Sequence, residues 1–443
     1  MKKVYLETFG CQMNVSDSER ISTALARDGF EMTLNDTDAD VVIINTCSVR
    51  EKAEHKLYSR VGRLRKKAKN KMPVVGVMGC VAQLEGDSLF DKIEGVNFVL
   101  GTRAVGRVSS AINETMRTGQ NVIDLGERED NYDWTVAETH RHSPYVAFLP
   151  IIEGCNKFCT YCIVPFSRGR ERSFEAADIV RQVAELKQNG VREVHLIGQN
   201  VNSYQPENDA GLEGLAGKSA FTKLLRAVAA TGMDRIKFTT SFPRDFRSDI
   251  VDAIEDHENL CNWVHLPVQS GSNRVLKLMK RGHTIEKYFE KIDRLRSSPR
   301  EIALTTDIIV GFPGETEADF QDSVSMVEYC GFDMAYIFKY SPRPGTPAFD
   351  LADDVSEAEK TLRFLELENA QKRSQNKRLQ RYLNKVLKVL VEGRSSRTEL
   401  GLTGHSTCHK VVNFEGRPEM LGSIVDVKIT DIKANSLFGE AVI

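Results

Sequence analysis

The chain has 443 residues, 41% of them hydrophobic, and a formal net charge of −2 at neutral pH. That length exceeds one hydrophobic core and predicts two to four domains, and the near-neutral balance excludes binding to nucleic acid by bulk charge alone. The opening MKKVYLETFGCQMN lacks the continuous apolar region of a signal peptide, and no uncharged apolar run is long enough to cross a bilayer, so a cytoplasmic location with no membrane contact is expected. Nine cysteines in a reducing compartment argue for metal ligation rather than a disulfide framework.

In chain order, VYLETF reads as a strand, and Ser16 with Glu19 predicts a capping box opening a helix that runs through Arg27 and closes at Gly29. VVIINT, Val41 to Thr46, reads as a buried strand. A strongly basic helix follows from about Val49 to Lys69, and Pro73 then starts the strand VVGVMG. Repeated strand–helix units predict a doubly wound parallel sheet. Each of the three strands runs into a cysteine: Cys11, Cys47 and Cys80. In a parallel sheet the carboxyl ends of the strands share one edge, where ligands bind, so residues one unit apart converge there. Taken singly, each cysteine is more often a buried small hydrophobe than a ligand. The repeated position, with Gly10 and Gly79 beside it, favours a 4Fe–4S cluster held by three thiolates with one open iron.

A polar, acidic connector runs from about Gly126 to Ser143. Beyond it come six strand-like segments separated by helical ones: YVAFLPII, EVHLIGQN, RIKFTTS, WVHLPVQS, IALTTDIIVG and MAYIFKYS. Six such units predict a partial (β/α)6 barrel, with its chemistry at the carboxyl ends of the strands. The run IIEGCNKFCTYCIVPFSRGRE follows the first of them and sets Cys155, Cys159 and Cys162 in a CxxxCxxC spacing. Three thiolates on one short loop cover three irons of a second 4Fe–4S cluster, and no fourth local cysteine covers the last. A zinc or plain redox loop is the competing reading, but zinc sites complete four ligands. An open iron at this spacing takes S-adenosyl-L-methionine, a cofactor that carries radical chemistry no side chain performs, and its reductive cleavage calls for an external electron donor.

Polar groups at the other strand ends, Gln199, Asn200, Ser241 and Gln269, are candidates to contact that cofactor, although ordinary loop capping explains each one alone. In DIIVGFPGET, Gly311 is a candidate for close backbone approach to its adenine; a strand-to-helix turn using Pro313 competes. No residue is assigned as catalytic. YSPRPGTPA, Tyr340 to Ala348, reads as a rigid loop leaving the barrel. The stretch Gln371 to Lys388 holds Lys372, Arg373, Lys377, Arg378, Arg381, Lys385 and Lys388 without an acid, a stripe suited to phosphate or to a solvated helix face. After it, VLKVLVEG, the polar GRSSRTELGLTGHST, KVVNF and SIVDVKITDI predict a small β-barrel of the kind that binds nucleic acid. Cys261, Cys330 and Cys408 read as packing thiols.

With both cysteine sets and the terminal barrel in view, the whole chain resembles the methylthiotransferases of the radical SAM superfamily. The resemblance implies a methylthiotransferase domain over residues 1–126, a radical SAM core over 141–371 and a TRAM RNA-binding domain over 374–443. TFGCQMNVSDSE, YSPRPGTPA and KANSLFGE resemble the branch acting on N6-isopentenyladenosine at position 37 of tRNA, beside the anticodon. The branch acting on an aspartate of a ribosomal protein reads GCPKN at the first motif, and the branch acting on threonylcarbamoyladenosine reads GCKVN. Phe9 and Phe158 stand where relatives commonly carry Tyr.

The implied reaction uses two molecules of S-adenosyl-L-methionine, one giving a methyl group to sulfur held on the auxiliary cluster and one giving a 5′-deoxyadenosyl radical that takes hydrogen from C2 of the adenine. The implied partner is the tRNA anticodon stem-loop, and a monomer is expected. Two other readings remain: methylthiolation of a ribosomal protein aspartate, and a non-catalytic iron–sulfur RNA-binding protein.

Overall fold

The structure is a computed structural model that describes residues 1–48, 51–67, 72–126, 140–395 and 401–442. Most of the acidic connector lies outside the described residues. The chain divides into two units, Met1–His142 with Phe148–Asn156 and Cys162–Glu171, and Ser143–Ala147 with Lys157–Tyr161 and Arg172–Ile443.

The first unit holds strands β1 (Lys3–Phe9), β2 (Glu31–Met32), β3 (Val41–Thr46), β4 (Val74–Gly79), β5 (Phe98–Leu100) and β6 (Val122–Asp124). They form one parallel sheet in the order β2-β1-β3-β4-β5-β6. Its helices are α1 (Gln12–Arg27), α2 (Glu51–Lys67), α3 (Cys80–Glu85), α4 (Ser88–Lys92) and α5 (Val108–Thr118). β3 is buried along its whole length, as a strand covered on both faces must be. Ile21 and Leu25 of α1 join Val108 and Ile112 of α5 in one core, while Leu57 and Val61 of α2 join Val81 of α3 in another. The sheet is therefore doubly wound. Its strand order reverses between β1 and β3, the switch point where such sheets bind ligands.

Helix α1 begins earlier than the Ser16–Glu19 pattern predicts. Cys11 is its N-cap, and Asn14 Oδ1 accepts from the Cys11 backbone N–H at 3.3 Å. Ser16 and Glu19 are buried inside the helix, and Glu19 accepts from the His142 backbone at 2.7 Å.

The chain continues through β7 (Val146–Pro150), β8 (Ile152–Glu153), α6 (Val164–Arg168) and β9 (Arg172–Ser173). Then α7 (Ala176–Gln188), α8 (Ala220–Ala230), α9 (Asp249–Asp256), α10 (Asn273–Leu278), α11 (Ile285–Arg296) and α12 (Glu317–Cys330) alternate with β10 (Glu193–Ile197), β11 (Arg235–Phe238), β12 (Trp263–His265), β13 (Ala303–Val310) and β14 (Met334–Lys339). The strands form two short sheets, β11-β10-β7 and β12-β13-β14, linked by a parallel bridge from Ile236 to Leu260. This is the partial (β/α)6 barrel.

Helix α13 (Glu357–Leu379) leads to a closed barrel of β15 (Val386–Arg394), β16 (Gly401–Ser406), β17 (Val411–Glu415), β18 (Ile424–Lys433) and β19 (Ser436–Ala441), in the order β15-β16-β17-β19-β18. β16 lies within a stretch the sequence reads as polar connection. Its inward residues are small or apolar, and Gly404 has Leu390 O only 1.9 Å from where a Cβ would stand. The barrel docks on the core through Arg235, whose guanidinium donates to the carbonyls of His405 and Ser406, each at 2.6 Å.

The basic stripe is not one surface. Helix α13 ends at Leu379, Lys385 lies in the connection that follows, and Lys388 is on the first strand of the barrel, β15. Lys372 pairs with Glu368, Arg373 with Glu328 and Lys385 with Glu301. Arg381 lies 2.9 Å and Arg378 3.9 Å from Asp333, a fully buried carboxylate. Much of the stripe's charge is therefore neutralised internally. Arg60 of α2 is likewise buried against Glu7 and Asp36.

Candidate iron–sulfur sites and cofactor pocket

The ends of β1, β3 and β4 are aligned across the sheet, Phe9 opposite Thr46 and Thr46 opposite Gly79. Cys47 and Cys80 come next on their strands, and Cys11 follows Phe9 by two residues. The Cys47 backbone N–H bonds Phe9 O at 2.9 Å. Gly10 and Gly79 make the edge possible. A Cβ on Gly10 would meet Asn14 Oδ1 at 2.4 Å, and Gly79 has φ +92 with Asn45 Oδ1 at 2.3 Å from a Cβ position. Asn14 and Asn45 fill this space as a buried pair: Asn14 Oδ1 accepts from Cys11 Sγ at 3.3 Å, and Asn45 Nδ2 donates to Asn14 O and Ser18 Oγ at 2.9 Å each.

The three thiols share one field. Cys11 is lowered to about 6, chiefly by a hydrogen bond with Cys47, with the charge of Arg168 adding to it. Its place at the N-terminus of α1 favours the thiolate as well. Burial pushes Cys80 up, against a hydrogen bond and the positive charge of Arg168. Beside Cys47, Thr46 Oγ1 and Ser48 Oγ are buried with no hydrogen-bond partner. Buried polar atoms are normally satisfied, so two orphans at this edge fit a group bound there.

Among the described residues no three His, Cys, Asp or Glu side chains close on a single metal ion. A four-iron cluster asks for something different, because each thiolate takes its own iron. The donor set of three cysteines and no carboxylate suits such a cluster.

In the second cysteine set, Gly154 (φ +77) and Phe158 (φ +49) turn the loop between β8 and α6. Cys155 N–H bonds Gly169 O at 3.1 Å. Cys159 is buried, and its Sγ lies 3.4 Å from Arg281 Nη1, whose other nitrogen donates to Pro267 O at 2.6 Å. Thr160 Oγ1 donates to Leu278 O at 3.0 Å, and Thr160 O accepts from Ala348 N at 2.8 Å, tying the loop to the Pro-rich turn.

Gln199, Asn200, Ser241 and Gln269 all stand just past the carboxyl ends of β10, β11 and β12. Gln199 Oε1, Thr239 Oγ1 and Ser241 Oγ are buried without partners, while Gln269 (φ +80) and Thr240 (φ +69) hold left-handed backbone that costs a non-glycine residue energy. Unsatisfied polar atoms and strain gathered at one set of strand ends are features that a ligand bound there would account for. Gly311 differs from the others. Its φ is +70, and the space a Cβ would take is filled by Lys360.

Sequence reasoning missed Asn14, Asn45, Arg168 and Arg281. The only available signal was position: Asn14 sits one helical turn after Cys11, and Arg168 six residues after Cys162.

A doubly wound domain with three cysteines at its switch point, followed by a partial barrel whose first loop carries CxxxCxxC, defines a radical SAM enzyme with an auxiliary cluster. Residues 149–327 match the radical SAM superfamily, residues 3–101 the family described as uncharacterized protein family UPF0004, and residues 380–442 the TRAM domain. The tRNA-2-methylthio-N(6)-dimethylallyladenosine synthase of Erwinia tasmaniensis is 44% identical over 99% of this chain and 92% of its own length. Those of Serratia proteamaculans and Haemophilus influenzae are each 42% identical over 100% of this chain and 92% of theirs. The chain belongs to the tRNA-2-methylthio-N(6)-dimethylallyladenosine synthase family. Among solved structures, the radical S-adenosylmethionine methyltransferase TsrM from Kitasatospora setae shares the fold, with TM-score 0.56 and 15% identity over 79% of this chain and 74% of that one.

Proposed function

We propose that this chain is a radical SAM methylthiotransferase that converts N6-isopentenyladenosine at position 37 of tRNA to its 2-methylthio derivative. The observation that carries the reading is the meeting of Cys11, Cys47 and Cys80 at aligned strand ends, in a chain that matches tRNA-modifying relatives along its full length. Cys11, Cys47 and Cys80 would hold the auxiliary 4Fe–4S cluster and the sulfur to be transferred, and Cys155, Cys159 and Cys162 the second cluster. Bound S-adenosyl-L-methionine supplies the methyl group and the radical chemistry at the target carbon. Asn14 holds the Cys11 backbone N–H, Arg281 braces Cys159, and the unpartnered atoms of Gln199 and Ser241 offer polar contacts for the cofactor.

The division into residues 1–126, 141–371 and 374–443 is supported by the three family matches. The closed terminal barrel would meet the anticodon stem-loop. Among the described residues no helix is long and apolar enough to cross a membrane, and a tRNA substrate goes with a cytoplasmic enzyme. An external electron donor completes the system, and the chain is taken to act as a monomer.

Nucleoside analysis of tRNA after anaerobic reaction tests the assignment. Cys47→Ala should still cleave S-adenosyl-L-methionine with a reductant yet form no methylthio product, whereas Cys159→Ala should do neither. In a competition between isopentenylated tRNA, unmodified tRNA and a ribosomal-protein substrate, product on the protein alone would overturn the substrate.

A further inference from the structure

We propose that Arg168 is a positioning residue for the auxiliary site, a fixed buried cation that sets the reduction potential there. The proposal rests on the reading of Cys11, Cys47 and Cys80 as cluster ligands. Arg168 ends α6, the short helix that begins two residues after Cys162, and α6 packs on α3, which begins at Cys80. The junction is close-fitting. Thr102 Oγ1 donates to Ser167 O at 2.9 Å, and Arg103 fills the space beside Gly169, which has φ +78.

The Arg168 side chain is buried, with Nη2 donating to Asp17 Oδ2 at 2.6 Å and Nη1 3.4 Å from Glu153 Oε1. Its positive charge reaches both Cys80 and Cys11. Asp17 is shared with Arg20 at 2.5 Å. Two arginines and two carboxylates therefore lie behind the cysteine edge, with a guanidinium next to sulfur and a carboxylate in the field of Cys80.

A guanidinium stays charged at any working pH, and its forked donors are pre-organised. Hydrogen bonds to ligating sulfurs and local net charge are the levers by which a protein sets a cluster's potential. A cation beside Cys80 stabilises the more negative, reduced state and lowers the cost of gathering three thiolates and a further sulfur anion at one sheet edge. Arg168 itself lies on the short segment of chain that follows Cys162.

The test uses the full-length Cys155→Ala/Cys159→Ala/Cys162→Ala chain, which should keep only the auxiliary cluster, in an anaerobic redox titration followed by electron paramagnetic resonance. Arg168→Gln should move the midpoint to more negative potential by at least tenfold in the reduction equilibrium, about 59 mV for one electron. Arg168→Lys should recover much of that shift. Asp17→Asn, which removes a negative charge and leaves Arg168 in place, should move the midpoint the opposite way.

Opposite signs for the Gln and Asn variants are what a merely structural role cannot produce. If Arg168→Gln loses its iron, the positive shift of Asp17→Asn carries the test alone. No shift, shifts of one sign, or loss of iron in all three variants would overturn the proposal. Absence of iron from the triple-alanine chain itself would instead overturn the two-cluster reading on which it rests.

Discussion

Each cysteine set has a buried arginine against one of its sulfurs, Arg168 at Cys80 and Arg281 at Cys159, and neither arginine is near its sulfur in sequence. The cysteines announce themselves by spacing and by repeated position after strands. Their partners do not, since Arg168 and its carboxylate Asp17 are 151 residues apart and only folding brings them together. Asn14 is the local exception. It accepts from both the backbone and the sulfur of Cys11 and donates to Asn45 at 3.3 Å, so Asn14→Ala leaves buried groups unpaired. Such a loss costs about 1–3 kcal/mol, and iron content after reconstitution should fall while the circular dichroism of the chain is kept.

A second buried group reports through pH. Lys237 of β11 lies with Nζ 4.0 Å from the centre of the Trp263 ring, among Glu193, His195, Arg235, Cys261, Glu392 and His409. Burial lowers its ammonium from 10.5 to about 7, with the charges of Glu193 and Cys261 opposing the drop. Between about 7 and 10.5 the unfolded chain therefore holds a proton that the folded chain does not, and stability rises with pH across that window. Below it both forms are protonated and the contribution is flat. Lys237→Met should flatten the dependence of unfolding free energy on pH in that window, as measured by urea denaturation.

At the scale of elements, the sequence pattern locates strands well where burial on both faces makes them continuous apolar runs, as in β3 and β4. It fails where tertiary context overrides composition. β16 carries Thr403 and His405 among glycines and is held by its neighbours β15 and β17, and α1 starts with Cys11 as its N-cap because Asn14 takes the Cys11 backbone N–H. The basic stripe fails for a different reason: charge in sequence says nothing about where acids lie in space. Asp333 is fully buried, and it gathers Arg381 at 2.9 Å with Arg378, Arg296 and Lys410 each at 3.9 Å. Arg381→Glu would put a second carboxylate against a buried one, and breaking such a pair costs ~3–5 kcal/mol. The expected result is a lowered melting temperature in the absence of any RNA. Lys377 is exposed on α13, so Lys377→Glu should leave the melting temperature unchanged and weaken tRNA binding with a reduced salt slope.

At the scale of the molecule, the two cysteine sets draw on different architecture. Cys11, Cys47 and Cys80 depend on the alignment of three strand ends in a sheet with its own two cores. Cys155, Cys159 and Cys162 depend instead on a short loop braced by Arg281 and Gly169. That difference made the loop legible from spacing alone, while the sheet-edge set needed the strand order to be right. It also makes the clusters separable. Anaerobic reconstitution should give about eight irons per chain, and replacing either set of three cysteines by alanine should remove about half, leaving the other cluster's absorption and paramagnetic signal intact. The sheet-edge variant is the more demanding case, because Cys47 and Cys80 are buried and Cys11 caps α1. Its melting temperature should fall even as the loop cluster assembles. Loss of all iron when either set alone is removed would mean that the sites are one shared centre, and zinc in place of iron would remove the cluster chemistry altogether.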